Sequence, residues 1–394
     1  MGIHPLIRLI FGGICAGLSA LTVVEAPTSL LWLIALGVTE WGYWLVPLPL
    51  LTWLPGWNRS RVGRIGAWLG LAAALFLMTP LIRAAALVHA WPDGLPAFFK
   101  DAAPRSMAGS LHRAAPLVVT DLLLGVSSPN VTMRSIVYAT NSGQRLSLDL
   151  YRMEGPMAGQ SAGVGPVPGV IVVHGGSWQH GDRGELASLN RYLAARGYVV
   201  ASVGYRFAPA WPFPSARDDV REAVAFLKSH AREYGLDPHR LVLLGRSAGG
   251  QLALSVAYAE PDPAVRGVVS FYAPADMKYG YEHPSNPWVL DSIAVLEAYL
   301  GGNPSQVPAT YELASPIRFV SSTTVPTLLI HGVRDELVFI AQSERLAVRL
   351  AQAQRPHYLL RLPWATHGCD AHFSGPCGQI STYVIERFLV AVTH

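Results

Sequence analysis

Apolar positions are spread unevenly along the chain. Before residue 91 they run almost without interruption in three blocks, roughly Leu6–Val24, Ser29–Leu54 and Ile65–Ala90. A bilayer core takes about 20 consecutive apolar residues to cross, so residues 1–90 are expected to form about three transmembrane helices. A cleaved signal peptide is the alternative for the first block, which follows a short stretch ending near Arg8. No A-x-A-like site comes after it, however, and two further apolar blocks follow directly. From Val131 the pattern changes to short apolar runs alternating with helical periodicity. Arg134–Thr140 and Arg145–Arg152 read as an antiparallel pair joined by Asn141-Ser-Gly143, and Met153–Pro168 as a Gly/Pro-rich loop. Buried strands are expected at Gly169–Val173, Tyr198–Val203, Leu241–Leu244, Gly267–Tyr272, Pro326–Ile330 and Tyr358–Leu362, with helices between. That alternation predicts a mostly parallel α/β sheet covered on both faces, over residues 131–394.

Residues 91–130 separate the two regions. Pro92, Pro96, Pro104 and Pro116 divide them, while Phe98-Phe99-Lys100 and the apolar run Leu117–Leu124 suit either an interfacial segment holding the next domain near lipid or a packed linker. The connection Glu25–Thr28 lacks positive charge, whereas Trp57–Arg64 carries three Arg. Placing the Arg-bearing turn and the N-terminus in the cytoplasm delivers the domain after Trp91 to the extracytoplasmic side. Glu40 and Arg83 lie inside apolar blocks, where they are expected to pair between the second and third helices; the alternatives are that Glu40 is protonated, or that Pro47 and Pro49 break its helix and expose it to water. Gly13-x-x-x-Gly17 and Gly66-x-x-x-Gly70 permit close helix packing within one chain, and a dimer is compatible with the same spacing. The net charge of +4 with 14% charged residues includes no basic cluster on an aromatic platform, so nucleic acid is not expected as a partner.

The chemistry centres on Gly245-Arg-Ser-Ala-Gly249. An apolar run precedes it and helix formers follow, giving strand, sharp turn and helix with Ser247 at the apex. His174-Gly-Gly-Ser-Trp178 directly follows the Gly169–Val173 run. Glycines let backbone N–H groups approach a reacting carbonyl, so Gly175, Gly176 and Ala248 are the candidate oxyanion hole. A serine nucleophile needs a base and an orienting carboxylate. His367 and Asp335 follow late strands in the order Ser247, Asp335, His367; Asp276 and His372 are the rivals. Trp178, Tyr279, Tyr281 and Trp288 are candidate substrate-binding residues, the last three in the long segment Met277–Tyr311, which could form a small cap. Cys369 and Cys377 would bridge in an oxidising compartment and remain thiols in a reducing one.

The residues from about Val131 onward resemble the α/β-hydrolase superfamily in its esterase/lipase branch. The resemblance rests on His174–Trp178, Tyr205-Arg-Phe-Ala-Pro209, Phe213–Asp219, Gly245–Gly250, Asp335 and Thr366-His-Gly368. Arg246 stands where hormone-sensitive-lipase-like enzymes commonly have Asp, and His331-Gly-Val-Arg-Asp335 departs from their acid segment. Both departures move the likeness toward general carboxylesterases and prenylcysteine methylesterase-like membrane hydrolases. The resemblance implies an α/β-hydrolase fold and hydrolysis of an apolar or lipid-like ester through Ser247. Acyl transfer, amide hydrolysis and a non-catalytic binding domain are the alternatives. Neither metal nor organic cofactor is implied.

Overall fold

The computed structural model describes residues 3–91, 113–128, 130–154 and 165–393. Eight strands form one sheet in the order β1-β2-β4-β3-β5-β6-β7-β8. They are β1 (Val131–Asn141), β2 (Gln144–Met153), β3 (Val167–Val173), β4 (Val199–Val203), β5 (Leu236–Arg246), β6 (Val265–Phe271), β7 (Thr327–Gly332) and β8 (His357–Leu362). The β1–β2 and β2–β4 pairings are antiparallel and the rest parallel. Side chains alternate across a strand, and here both faces are covered. Ile171, Val173, Leu241 and Leu243 enter one core, while Val170, Val172, Val242 and Leu244 enter the other. This explains why the central strands read as continuous apolar runs.

Ser215–Ser229, Ala248–Ala259 and Ala341–Gln352 cover the first face, and Ala187–Ala194 and Pro376–Thr393 the second. Between β6 and β7 the chain forms short helices, Met277–Glu282, Ser292–Leu300 and Pro308–Leu313, that stand as a small cap. Residues 155–164, within the expected Met153–Pro168 loop, and the Phe98–Lys100 stretch lie outside the described residues. Within the described part of the 91–130 segment, Val119–Leu124 is a short helix with Val119, Leu123 and Leu124 exposed.

The N-terminal region differs from the expectation of three continuous spans. Among the described residues one helix is long and apolar enough to cross a membrane, α3 (Arg61–His89, 29 residues). At 1.5 Å per residue it is about 44 Å long, and its C-terminal end enters the second core through Ala84, Leu87 and Val88. α1 (Pro5–Ala20, 16 residues) is shorter than a bilayer core requires. The second apolar block is broken: α2 (Ser29–Glu40) and the helical stretch Gly42–Trp53 meet at 84°. α2 meets the sheet-bearing region at both ends, where the Ser29 N–H donates to the Trp288 carbonyl (2.9 Å) and the Cys377 N–H to Glu40 Oε2 (3.4 Å). The second stretch packs along α3.

Glu40 and Arg83 therefore do not pair; Arg83 reaches the Pro363 carbonyl at 3.5 Å. Nor does the first glycine pair act as expected, since an added Cβ at Gly13 or Gly17 would meet nothing within 4 Å. The close approach is made by Gly12, where a Cβ would lie 2.4 Å from the Gly66 carbonyl oxygen. Gly70 lies equally tight against Pro49 and Thr52. Both contacts are within one chain. Arg8 is buried and donates to the carbonyls of Thr52, Leu54 (2.9 Å) and Pro55 (3.4 Å), closing the turn opposite the catalytic region.

Candidate active site

Ser247 sits between β5 and the helix Ala248–Ala259, with φ 51° and ψ −121°. This strained conformation costs about 1–3 kcal/mol and persists only because its surroundings hold it. A Cβ at Gly245 would lie 2.1 Å from the Gly249 carbonyl oxygen, and one at Gly249 would lie 2.2 Å from that of His174. The two glycines thus let β5, the turn and the end of β3 close on one another.

The imidazole of His367, in the loop after β8, places Nε2 3.0 Å from Ser247 Oγ and Nδ1 2.7 Å from Asp335 Oδ2. Asp335, in the loop after β7, accepts from the Leu337 and Val338 N–H groups at 3.0 and 2.9 Å through Oδ1. His331 Nε2 lies 2.8 Å from the Val338 carbonyl and 3.2 Å from Asp335 Oδ2. Both neighbours are acceptors, so Nε2 carries a proton. Burial would push the Asp335 carboxyl up, but the charge of His367 and hydrogen bonds from His331 and His367 outweigh it. They hold Asp335 well below the usual carboxylate range. Of the rivals, Asp276 caps the Met277–Glu282 helix and pairs with Arg345 (2.7 Å), while His372 stacks on Trp41 and lies 3.0 Å from the Tyr43 hydroxyl.

The loop after β3 faces this constellation. Gly176 has φ 112°, and a Cβ there would lie 1.9 Å from the His180 carbonyl oxygen. A Cβ at Gly175 would touch Ser247 Cβ at 3.4 Å, so the two backbones are in near contact. The Tyr205 hydroxyl donates to the carbonyls of His174 (3.0 Å) and Gly175 (3.2 Å), turning them away from the pocket. Trp178 is buried, stacks on Tyr299 at 4.2 Å and donates from Nε1 to Gln251 Oε1 (3.0 Å).

A pocket opens over Ser247, Ala248 and His367. Trp178 and Tyr279 line it; Tyr281 and Trp288 do not. The Tyr281 hydroxyl donates to Glu297 (2.7 Å), bracing two cap helices, and the Trp288 side chain is 77% exposed. The walls are completed by Met277, Leu290 and Leu296, inside the expected segment Met277–Tyr311, and by Leu337, Val338 and Phe339, which no local motif marks. Sequence reading also missed Asp370. It is buried and accepts from Arg246 and from the Tyr272 hydroxyl, and the Tyr272 ring packs 4.4 Å from His367. The structure joins Cys369 and Cys377, on either side of this segment, in a disulfide. Among the described residues no group of His, Cys, Asp and Glu could hold a metal ion.

The sheet order, with Ser247 in the turn after β5 and the Asp335–His367 pair on late loops, defines an α/β-hydrolase fold. Comparison with known proteins agrees. A family model described as BD-FAE matches residues 157–350. The probable carboxylic ester hydrolase LipM of Mycobacterium tuberculosis is 29% identical over 58% of this chain and 55% of its own length. Esterase LipC of the same organism is 33% identical over 52% and 54%. The chain thus spans about half the length of the curated relatives it matches. Among solved structures, a bacterial heroin esterase superposes with a TM-score of 0.55 at 23% identity, covering 69% of this chain and 87% of that one.

Proposed function

We propose that this protein is a membrane-anchored serine carboxylesterase that cleaves apolar or lipid-like esters. The observation that carries the proposal is the Ser247–His367–Asp335 chain, with links of 3.0 and 2.7 Å, at the floor of an apolar pocket. In the first step His367 Nε2 takes the Ser247 proton as Oγ attacks the ester carbonyl. The negative charge of Asp335 stabilises the imidazolium and holds Nδ1 protonated. The carbonyl oxygen, now negative, is received by the amides of Gly175, Gly176 and Ala248, each donor contributing about 3–4 kcal/mol. His367 then protonates the leaving alcohol. Water, activated by the same imidazole, attacks the acyl-enzyme and restores Ser247.

The anchoring reading is supported by the exposed apolar side chains of α1 (Leu6, Ile7, Ile10, Ile14) and α3 (Ile65, Trp68, Leu75, Ile82). Arg8, Arg59, Arg61 and Arg64 gather at the end away from the sheet, which favours an extracytoplasmic catalytic region. α2, with Leu30 and Leu33 exposed, suits a position in the lipid–water boundary. The test is hydrolysis of p-nitrophenyl esters of graded acyl length by the full chain, together with retention in membranes after an alkaline wash. Activity confined to the shortest acyl groups would remove the lipid-like substrate, and release by the wash would remove the anchor. Turnover seen only with an added alcohol acceptor, or only with amides, would replace ester hydrolysis by the related reactions.

A further inference from the structure

Asp335 lies between two residues that both reach into the N-terminal region. On one side, the Arg334 guanidinium donates to the carbonyls of Thr22 (2.5 Å), Val24 (2.7 Å) and Leu21 (3.3 Å). These carbonyls belong to the turn that follows α1, and a cation just beyond a helix C-terminus is favoured by the helix dipole. On the other side, the Glu336 carboxylate accepts the Ala26 N–H with both oxygens, at 3.1 and 3.0 Å. The residues are more than 300 positions apart in sequence, yet they clasp six consecutive residues, Leu21 to Ala26. The Arg334 N–H also donates to the Ala365 carbonyl (3.1 Å), two residues before His367. The acid-bearing loop is therefore tied to the base-bearing loop on one side and to the α1–α2 connection on the other. Ser247 has no such dependence: its N–H donates to the Phe271 carbonyl of the sheet (2.9 Å).

We propose that Arg334 and Glu336 are positioning residues that make the α1–α2 connection part of the catalytic apparatus, holding Asp335 in register with His367. This inference rests on the serine-hydrolase reading for its consequence in turnover, though not for its geometry. Asp335 acts through a single 2.7 Å contact, and a misplacement of about 1 Å in such an arrangement costs on the order of 100-fold in rate. The Asp335 carboxylate also takes the His367 Nδ1–H in a short charge-assisted hydrogen bond, so loosening it moves the resonance of that proton upfield. A brace that merely stabilised the fold would change neither quantity in the folded fraction.

The experiment uses the full chain in detergent micelles, with Arg334→Ala, the milder Glu336→Gln, and Glu233→Gln as an exposed control remote from the clasp. Two quantities are measured: the ¹H-NMR chemical shift of the His367 Nδ1–H proton, and kcat and KM for a short p-nitrophenyl ester, corrected for folded fraction. Arg334→Ala is expected to lower kcat by about tenfold or more with KM little changed. It should move the His367 Nδ1–H resonance upfield, in the same direction as Asp335→Asn, and Arg334→Lys should recover part of both changes. Glu233→Gln should match the wild type. If that resonance and kcat stay at wild-type values in both clasp variants while only thermal stability falls, the proposal is overturned. Should the wild type hydrolyse no ester, the serine-hydrolase reading fails separately, and the His367 Nδ1–H resonance still decides the clasp.

Discussion

Replacing Asp370 by Leu tests how the His367 loop is held against the Ser247 turn. The Asp370 carboxylate takes Arg246 Nε on one oxygen and the Tyr272 hydroxyl on the other. The Arg246 and Asp370 side chains are only 6% and 5% exposed. Arg246 immediately precedes Ser247, and Asp370 follows His367 by three residues, so the pair joins the two loops that must meet. Removing the carboxylate leaves a guanidinium buried without a counter-charge, which costs about 3–5 kcal/mol. Removing both charges, as Arg246→Met with Asp370→Leu, leaves no orphaned ion, so most of that loss should return. The assay is a double-mutant cycle on the full chain in micelles, with urea unfolding followed by near-ultraviolet circular dichroism. The double variant should be more stable than Asp370→Leu alone, with a coupling of at least about 2 kcal/mol. A single variant within about 1 kcal/mol of wild type, or strictly additive effects, would refute this account of the loop.

Other outcomes follow from the same geometry. Gly249→Ala would place a methyl 2.2–2.3 Å from the His174 and Val173 carbonyl oxygens; it should abolish ester hydrolysis or folding, read by activity and circular dichroism. Gly13→Ala meets open space inside α1 and should stabilise by about 0.5–1 kcal/mol in thermal unfolding. Leu296→Trp, filling the pocket wall, should shift the preferred p-nitrophenyl ester toward shorter acyl chains. Because the folded-state pKa of Asp335 is depressed, its contribution to stability is complete above the ordinary carboxylate range. That contribution is lost as pH falls through the range toward the folded value, so Asp335→Asn should flatten the acid side of a melting-temperature profile. Reducing the Cys369–Cys377 bridge should lower stability by about 2–3 kcal/mol.

What could be read from the chain follows from how locally each feature is encoded. The elbow is legible because Gly245, Ser247 and Gly249 are close neighbours and the turn itself demands the glycines. Asp335 and His367 are legible because strand ends on a parallel sheet converge on one edge, so chain order carries spatial information. A break in the second apolar block was legible in Pro47 and Pro49, but not its place at Trp41. Residues on both sides of Trp41 are apolar, and the contacts of α2 with distant parts of the chain, from Ser29 at Trp288 to Glu40 at Cys377, leave no local mark in the sequence. Tyr281 and Trp288 look like pocket residues by type, yet direction decides, and one points to Glu297 while the other faces outward. Arg246 was visible as a departure from a familiar pattern. Its partner, 124 residues away, was not.

The measurement that bears most directly on the central claim is covalent capture of the nucleophile. The full chain and its Ser247→Ala variant are treated with a fluorophosphonate, located by peptide mass mapping, and compared in p-nitrophenyl ester hydrolysis. The account predicts a single adduct on Ser247, and no adduct or hydrolysis in the variant. An adduct on another residue, or hydrolysis that survives Ser247→Ala in a folded protein, would contradict it.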